Sequence, residues 1–303
     1  MNLQIYLLLA VTLAAGLCLN VVKNVFCKKY QRSISDTYMY SVVNGIFAVL
    51  TVALISGGKI SVSSATLFYA VIYGLNWVLL AVVNNLALKT GPLSYTSVII
   101  SLSLVIPTFS GWLFWNEKIN ALQLIGIIFM IMCFVLSNEK SGDDKKAKKI
   151  WYVYVVIAFV SNGFCGIIQK LHQSSSGAEE TTGFVFTALL ISVVISTPLM
   201  LFFKGKERKN CPSESSESLK TDSKTKYIVL LLLLTAGVCS GLVNQINLYL
   251  VGIMDSAVFF PVVNGGNLIL TMLLSVTAFK EKPTSKQWLG LAMGMTAVIM
   301  LCL

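Results

Sequence analysis

NEKINALQLIG, at residues 116–126, recurs in outline as KEKPTSKQWLG at residues 280–290. Each segment has a glutamate, a glutamine and a glycine at the same spacing: Glu117, Gln123 and Gly126 in the first, and Glu281, Gln287 and Gly290 in the second. Both segments lie between long apolar runs, as expected of a short turn joining two helices. The common offset of 164 residues predicts an internal duplication.

A second match supports this duplication. Gly16-Leu17-Cys18 with Lys23 corresponds to Gly163-Phe164-Cys165 with Lys170, at an offset of 147 residues. The two offsets differ because the second half carries a longer polar connection, at residues 204–226, which we expect to be disordered. We therefore predict two repeats of five helices each, at residues 1–140 and 150–303.

The composition indicates a polytopic membrane protein. Of the 303 residues, 56% are hydrophobic and 12% are charged, and the mean hydropathy is +0.78. A membrane-spanning helix needs about 20 mostly apolar residues, and the apolar runs lack the alternation that a barrel strand would show. We predict an all-α membrane protein with ten spans, at residues 3–26, 37–56, 65–88, 93–115, 119–137, 151–172, 181–203, 227–250, 256–279 and 286–303.

The arrangement of basic residues predicts how the spans are oriented. A five-span unit copied in tandem inserts its second copy upside down, which gives an inverted repeat. Loops after odd-numbered spans hold 19 lysines and arginines, whereas only Lys59 and Lys118 lie on the other side. The positive-inside rule then places both termini outside. Since this bias accounts for the net charge of +10, we expect membrane lipids and no nucleic acid as partners.

Nothing in the sequence resembles a catalytic or metal centre. The one histidine, His172, lies near a span end, and neither G-x-S-x-G nor H-E-x-x-H occurs. Most of the seven cysteines fall inside apolar runs without a C-x-x-C pair, as packing residues do. We therefore expect no enzyme activity, no metal and no cofactor. Glu117 and Glu281 are expected to cap helix starts.

Candidate solute-binding residues are polar groups inside apolar spans, because such groups are costly when they face lipid. The ninth span contains Pro261, Asn264, Gly265, Gly266 and Asn267. The proline and paired glycines predict a flexible helix break, and the two asparagines share one face and could contact a solute. Alternatively, the glycines allow close helix packing while the asparagines bond to neighbouring helices.

Four further residues are candidates for solute binding. Asn244 and Asn247 share a face of the eighth span, where they could line a cavity or bond to another helix. Trp77 lies near the middle of the third span, where its ring could stack on a solute or pack against lipid. Lys23 could bind an anionic group, or its side chain could extend to the membrane interface.

Ten spans in two halves, each with a glutamate turn followed by a Gln- and Gly-bearing last helix, resemble the EamA-like family of the drug/metabolite transporter superfamily. The resemblance implies a ten-helix bundle, with a pathway between its halves for exporting small metabolites or drugs. The chain departs from the family pattern at Leu104 and Leu268, where members commonly carry a proline. Its charge bias is also opposite to the cytoplasmic termini usual in bacterial members.

We therefore expect an integral membrane transporter that moves a small organic solute by alternating access, in the direction of export. The resemblance to bacterial members places it in a bacterial plasma membrane. A non-transporting membrane protein and a membrane-embedded lipid-modifying enzyme are the alternatives. The residues themselves leave the solute, the direction of transport, the energy source and the oligomeric state open, and export is expected only from the resemblance.

Overall fold

A computed structural model describes residues 3–30, 33–90, 93–137, 149–210, 223–277 and 284–302. Within these ranges the regular structure is helical, with no strand. The helices are α1 (Leu3–Lys29), α2 (Ile34–Ile55), α3 (Ser64–Thr90), α4 (Leu93–Leu102), α5 (Val105–Phe114), α6 (Ala121–Ser137), α7 (Lys149–Gln173), α8 (Thr181–Asn210), α9 (Ser223–Ile253), α10 (Ser256–Thr277) and α11 (Ser285–Cys302). They follow the predicted spans within a few residues at most ends, and α4 and α5 together replace the fourth span.

Many of these helices are suited to a bilayer. Among the described residues, seven helices are long and apolar enough to cross a membrane: α1, α2, α3, α7, α8, α9 and α10. The α4–α5 region and α6 contain shorter apolar helices. The chain is therefore an integral membrane protein.

The polar connection of the second half is shorter than expected. Residues 204–210 continue α8, and residues 223–226 already belong to α9. A helix can extend beyond the apolar core into water, where its exposed polar side chains need no burial. Of the loop predicted at 204–226, the part at 211–222 lies outside the described residues.

The duplicated segments are helix starts. At α6, the Asn120 side chain accepts from the backbone N–H of Gln123 at 2.7 Å, and the Gln123 side chain accepts from the N–H of Asn120 at 3.1 Å. Thr284 and Gln287 form the same reciprocal pair at α11, at 3.3 Å and 2.9 Å. This is a capping box, which satisfies amides that the first helical turn leaves free.

The repeated glycine allows these two last helices to approach closely. A Cβ atom at Gly126 of α6 would lie 3.0 Å from the Leu301 side chain and 3.3 Å from the Ala297 carbonyl oxygen of α11. Only a residue without a side chain fits such a backbone approach comfortably. The duplicated pattern thus specifies how the last helix of each half begins and how the two helices pack.

The described helices form two compact units. One unit contains Met1–Leu13, Asn76–Ser176 and Leu248–Leu303, and in it α10 packs against α5, α6 and α11. The other contains Ala14–Leu75 and Gly177–Asn247, and in it α2 packs against α8. Each unit takes helices from both halves of the sequence.

The predicted break in the ninth span is not present. Helix α10 runs unbroken through Pro261, where only the Ala257 carbonyl loses its helical donor. The interruption lies instead in the fourth span, at Ser103 and Leu104 between α4 and α5. Pro107 follows in the first turn of α5, where a missing N–H breaks no helical hydrogen bond.

Candidate functional site

Asn264 is an accessible polar residue in an otherwise buried stretch of helix. Residues 256–263 of α10 are all buried, as are Gly265 and Gly266, whereas Asn264 is exposed. Its amide nitrogen donates to the Phe260 carbonyl of its own helix at 2.8 Å. Because that bond is internal to α10, no other described helix holds the exposed amide by a hydrogen bond.

Asn267 lies one turn further along α10. Its amide nitrogen donates to the Val263 carbonyl at 3.0 Å. Its Oδ1 atom is buried and has no hydrogen-bond partner among the described residues. A buried acceptor without a donor is unfavourable, so this oxygen is available to a ligand that brings a donor.

The paired glycines of α10 contact other helices of the same unit. A Cβ atom at Gly265 would overlap the Met130 thioether of α6, and one at Gly266 would lie 2.8 Å from a methyl carbon of Leu13. The glycines therefore permit close packing, as the alternative interpretation of this segment holds. A flexible role for Pro261 stays a prediction.

The remaining predicted residues are divided between the two units. Trp77, 44% exposed, belongs to the unit that contains Asn264, whereas Lys23, Asn244 and Asn247 belong to the other. Lys23 is exposed. Asn244 donates to the Ser240 carbonyl of α9 at 2.8 Å, and the Oδ1 atom of Asn247 is buried without a partner in the described structure.

A further polar cluster lies at the break between α4 and α5. The Asn162 amide of α7 donates to the Ser103 hydroxyl at 2.6 Å and to the Ile100 carbonyl at 3.2 Å. The Ser103 hydroxyl donates to the same carbonyl at 2.6 Å and is fully buried. These bonds satisfy the backbone that the interrupted helix exposes.

Residues of α7 next to Asn162 extend this cluster to α3. The Asn76 amide nitrogen lies 2.8 Å from the Ser161 carbonyl oxygen and 3.1 Å from the Cys165 sulfur. Asparagine within an apolar span was the only signal in the sequence for either side chain. That signal could not indicate which helix each asparagine would meet.

A buried ion pair joins the first duplicated turn to α7. Lys170 Nζ lies 2.7 Å from Glu117 Oε1, and the two side chains are 11% and 8% exposed. Asn116 precedes the glutamate with φ of 51°, a left-handed conformation that asparagine tolerates. The chain therefore turns sharply after α5, and the Glu117 N–H bonds back to the Gly111 carbonyl at 3.2 Å.

The same two charged groups also bind the junction between α9 and α10. Glu117 Oε2 accepts from the backbone N–H of Ser256 at 2.7 Å, and Lys170 donates to the carbonyls of Val251 and Met254, both at 3.1 Å. A carboxylate thus lies at the start of one helix and an ammonium at the end of another, each complementing the helix dipole. We call Glu117, Lys170, Ser256 and these two carbonyls the Glu117 cluster.

The expected capping role of Glu117 is confirmed, but the helix it caps is α10, which lies far away in the sequence, rather than α6. The Ser256 hydroxyl also contacts Glu117, at 3.2 Å from Oε1. Lys170 has one partner for each of its three hydrogens within this cluster. Glu281, the counterpart of Glu117, lies outside the described residues.

Comparisons with known proteins agree with this helical membrane architecture. A solved crystal structure shares the fold with a TM-score of 0.73 at 9% sequence identity, over 99% of this chain and 96% of that chain. A search of curated proteins gave no match. The sequence model of the EamA-like transporter family matches residues 3–138 and again residues 149–303. Because these two matches span nearly the whole chain in two repeated halves, the chain belongs to the EamA-like transporter family of the drug/metabolite transporter superfamily.

Proposed function

We propose that this transporter carries a small, partly polar organic solute, a metabolite or a drug, by alternating access between two inverted five-helix halves. Ten spans, export across a bacterial plasma membrane and termini outside the cell are part of the proposal. The duplicated sequence supports the inversion, because an odd number of spans reverses the second copy. The bias of basic residues supports the orientation.

The observation that carries the proposal is the exposure of Asn264. The residues of α10 before and after it in the sequence are buried. An amide is costly where it faces lipid, so its exposure favours a water-filled path. Asn267, one turn away, has an oxygen that lacks a donor. A solute carrying hydroxyl or amine groups would supply that donor, which favours a partly polar solute over a purely apolar one.

The interrupted fourth span supports the transport mechanism. Discontinuous helices in transporters place polar backbone groups near the bilayer midplane, where solutes bind. Here the break exposes the Ile100 carbonyl oxygen and the Ser103 hydroxyl, and the Asn162 amide donates a hydrogen bond to each of them. We infer that the break lets α4 and α5 tilt separately while this amide holds their junction to α7.

Purified protein in proteoliposomes tests the proposal. A metabolite screen by thermal stabilisation would first identify a solute, since a ligand of the folded state raises apparent stability. The double variant Asn264→Leu, Asn267→Leu should then reduce saturable flux by about tenfold or more, because two polar contacts are lost. Expression and thermal stability without solute should stay near the unmodified level.

Thr277→Leu is the matched control. Thr277 is exposed on the same helix, and its hydroxyl bonds to the Leu273 carbonyl four residues earlier, at 2.9 Å. This variant should transport normally. Unchanged flux in the asparagine variant would refute the site, and the lack of saturable flux for every solute in a broad screen would refute transport itself.

A further inference from the structure

Lys170 and Lys23 occupy equivalent positions of the two repeats but have different surroundings. Lys170 is buried and forms an ion pair with Glu117. Lys23 is exposed. Two copies of one ancestral segment therefore show the same lysine in two different environments.

In an inverted-repeat transporter, one half moves against the other around the solute site when the pathway switches sides. Glu117 belongs to the first half and Lys170 to the second, so their ion pair joins the two halves that move. We propose that the ion pair between Glu117 and Lys170 is a latch, which closes the pathway on the side of the membrane where the α5–α6 turn lies and opens once in each transport cycle. This inference rests on the proposed function.

The geometry of the Glu117 cluster suits a latch. It ties the turn before α6, the end of α7 and the junction of α9 with α10 at one point, through bonds of 2.7–3.1 Å. Opening the cluster would therefore release three segments together. Lys170 has no hydrogen left for a solute while the latch is closed.

The energetics also permit opening. The free-energy cost of removing two charges from water offsets much of the attraction between them inside the protein. When the cluster opens to water, both charges recover their hydration, and so the two states can lie close in free energy. A cluster of apolar side chains would lose burial without such compensation.

Chemical labelling of Ser256→Cys tests the latch without any solute. Ser256 is 2% exposed, and its backbone N–H donates to the Glu117 carboxylate. In a background with the seven native cysteines replaced by serine, a membrane-impermeant cationic methanethiosulfonate would be added from each side in turn. Ala158→Cys, at a fully buried position of α7 outside the cluster, is the control.

If the latch opens, we expect the Ser256→Cys variant to react from one side at least about tenfold faster than the Ala158→Cys variant. Adding Glu117→Gln and Lys170→Met together should raise that rate further, since the double change removes the ion pair and leaves no buried charge unpaired. Equal, very slow labelling at both positions, with or without the double change, would overturn the latch. It would mean that the cluster stays closed.

Labelling and flux separate this inference from the proposed function. Saturable flux in a protein whose Ser256→Cys position never reacts would refute the latch and leave transport standing. Labelling that depends on the ion pair, in a protein that transports nothing, would refute transport while showing that the cluster opens. If Lys170→Met alone prevents folding, the paired neutral substitution still gives the measurement.

Discussion

Lys170 gives its three hydrogens to Glu117, Val251 and Met254, and its side chain is 11% exposed. Such an ammonium depends on its counter-ion, because a lone buried charge is far more costly than a buried pair. Glu117 is therefore needed even if the pair as a whole contributes little net stability.

Glu117→Gln should lower the free energy of unfolding by about 3–5 kcal/mol, since buried Lys170 would lose its counter-ion. The double substitution Glu117→Gln, Lys170→Met should recover most of that loss. Thermal unfolding in detergent measures both. Glu179→Gln, at an exposed carboxylate, is the control and should have little effect. If Glu117→Gln changed stability as little as Glu179→Gln does, the ion pair would not be important for stability.

The sequence predicted that Glu117 caps a helix but not which one. Hydrophobic periodicity reports which face of a helix is buried, and it carries no information about which distant segment will meet that face. Lys170 gave a partial signal, because a charged residue inside an apolar span needs a partner. Choosing between the available carboxylates requires the three-dimensional fold.

The helix break lies near Pro107 and not near Pro261, although the sequence around Pro261 favours a break more strongly. Pro107 and Pro261 both lie in long apolar spans, and Pro261 is followed by two glycines that favour a break. Yet α10 is continuous, and Met130 and Leu13 pack directly against its glycines. Local propensity predicted a weak helix there, and tertiary contacts overrode it.

Gly166 of α7 is closely surrounded by side chains of other helices. A Cβ atom at Gly166 would lie 2.7 Å from the Pro107 side chain and 2.8 Å from the Phe260 ring. Gly166→Ala should therefore destabilise the protein by about 1–3 kcal/mol through overpacking. Gly205→Ala on α8 meets nothing within 4 Å and should instead stabilise its helix by up to about 1 kcal/mol.

Thermal unfolding of both alanine variants in the same detergent measures this difference. Gly166→Ala should also change the junction of α5 with α7 and α10, since Pro107 and Phe260 meet at that glycine. Destabilisation of both variants to the same degree would mean that helix propensity, and not the contact, determines the result.

The proposed orientation rests on the distribution of basic residues and can be measured at two described positions. Lys59 lies in the connection after α2, and Lys29 ends α1, and both are exposed. In the cysteine-free background, Lys59→Cys should react with an impermeant thiol reagent on intact cells, whereas Lys29→Cys should react only after permeabilisation. The reverse pattern would place both termini in the cytoplasm.

Hydropathy sufficed to predict the membrane class and nearly all the helices, because a bilayer imposes strong length and composition rules. It did not predict the compact units, which combine helices from both halves. Every span must be apolar toward lipid, so apolar composition does not specify which spans pack together. Small residues such as Gly126 carry that information, and their partners become evident only in the folded chain.

The packing of α6 against α11 has a consequence for the origin of the gene. These helices end the two halves, and each begins with the same capping box and carries the same glycine, Gly126 or Gly290. With the inverted insertion that we propose, a half-length ancestor would have exposed this surface, and a second copy would have matched it. Duplication and fusion would then have tied together two proteins that already paired.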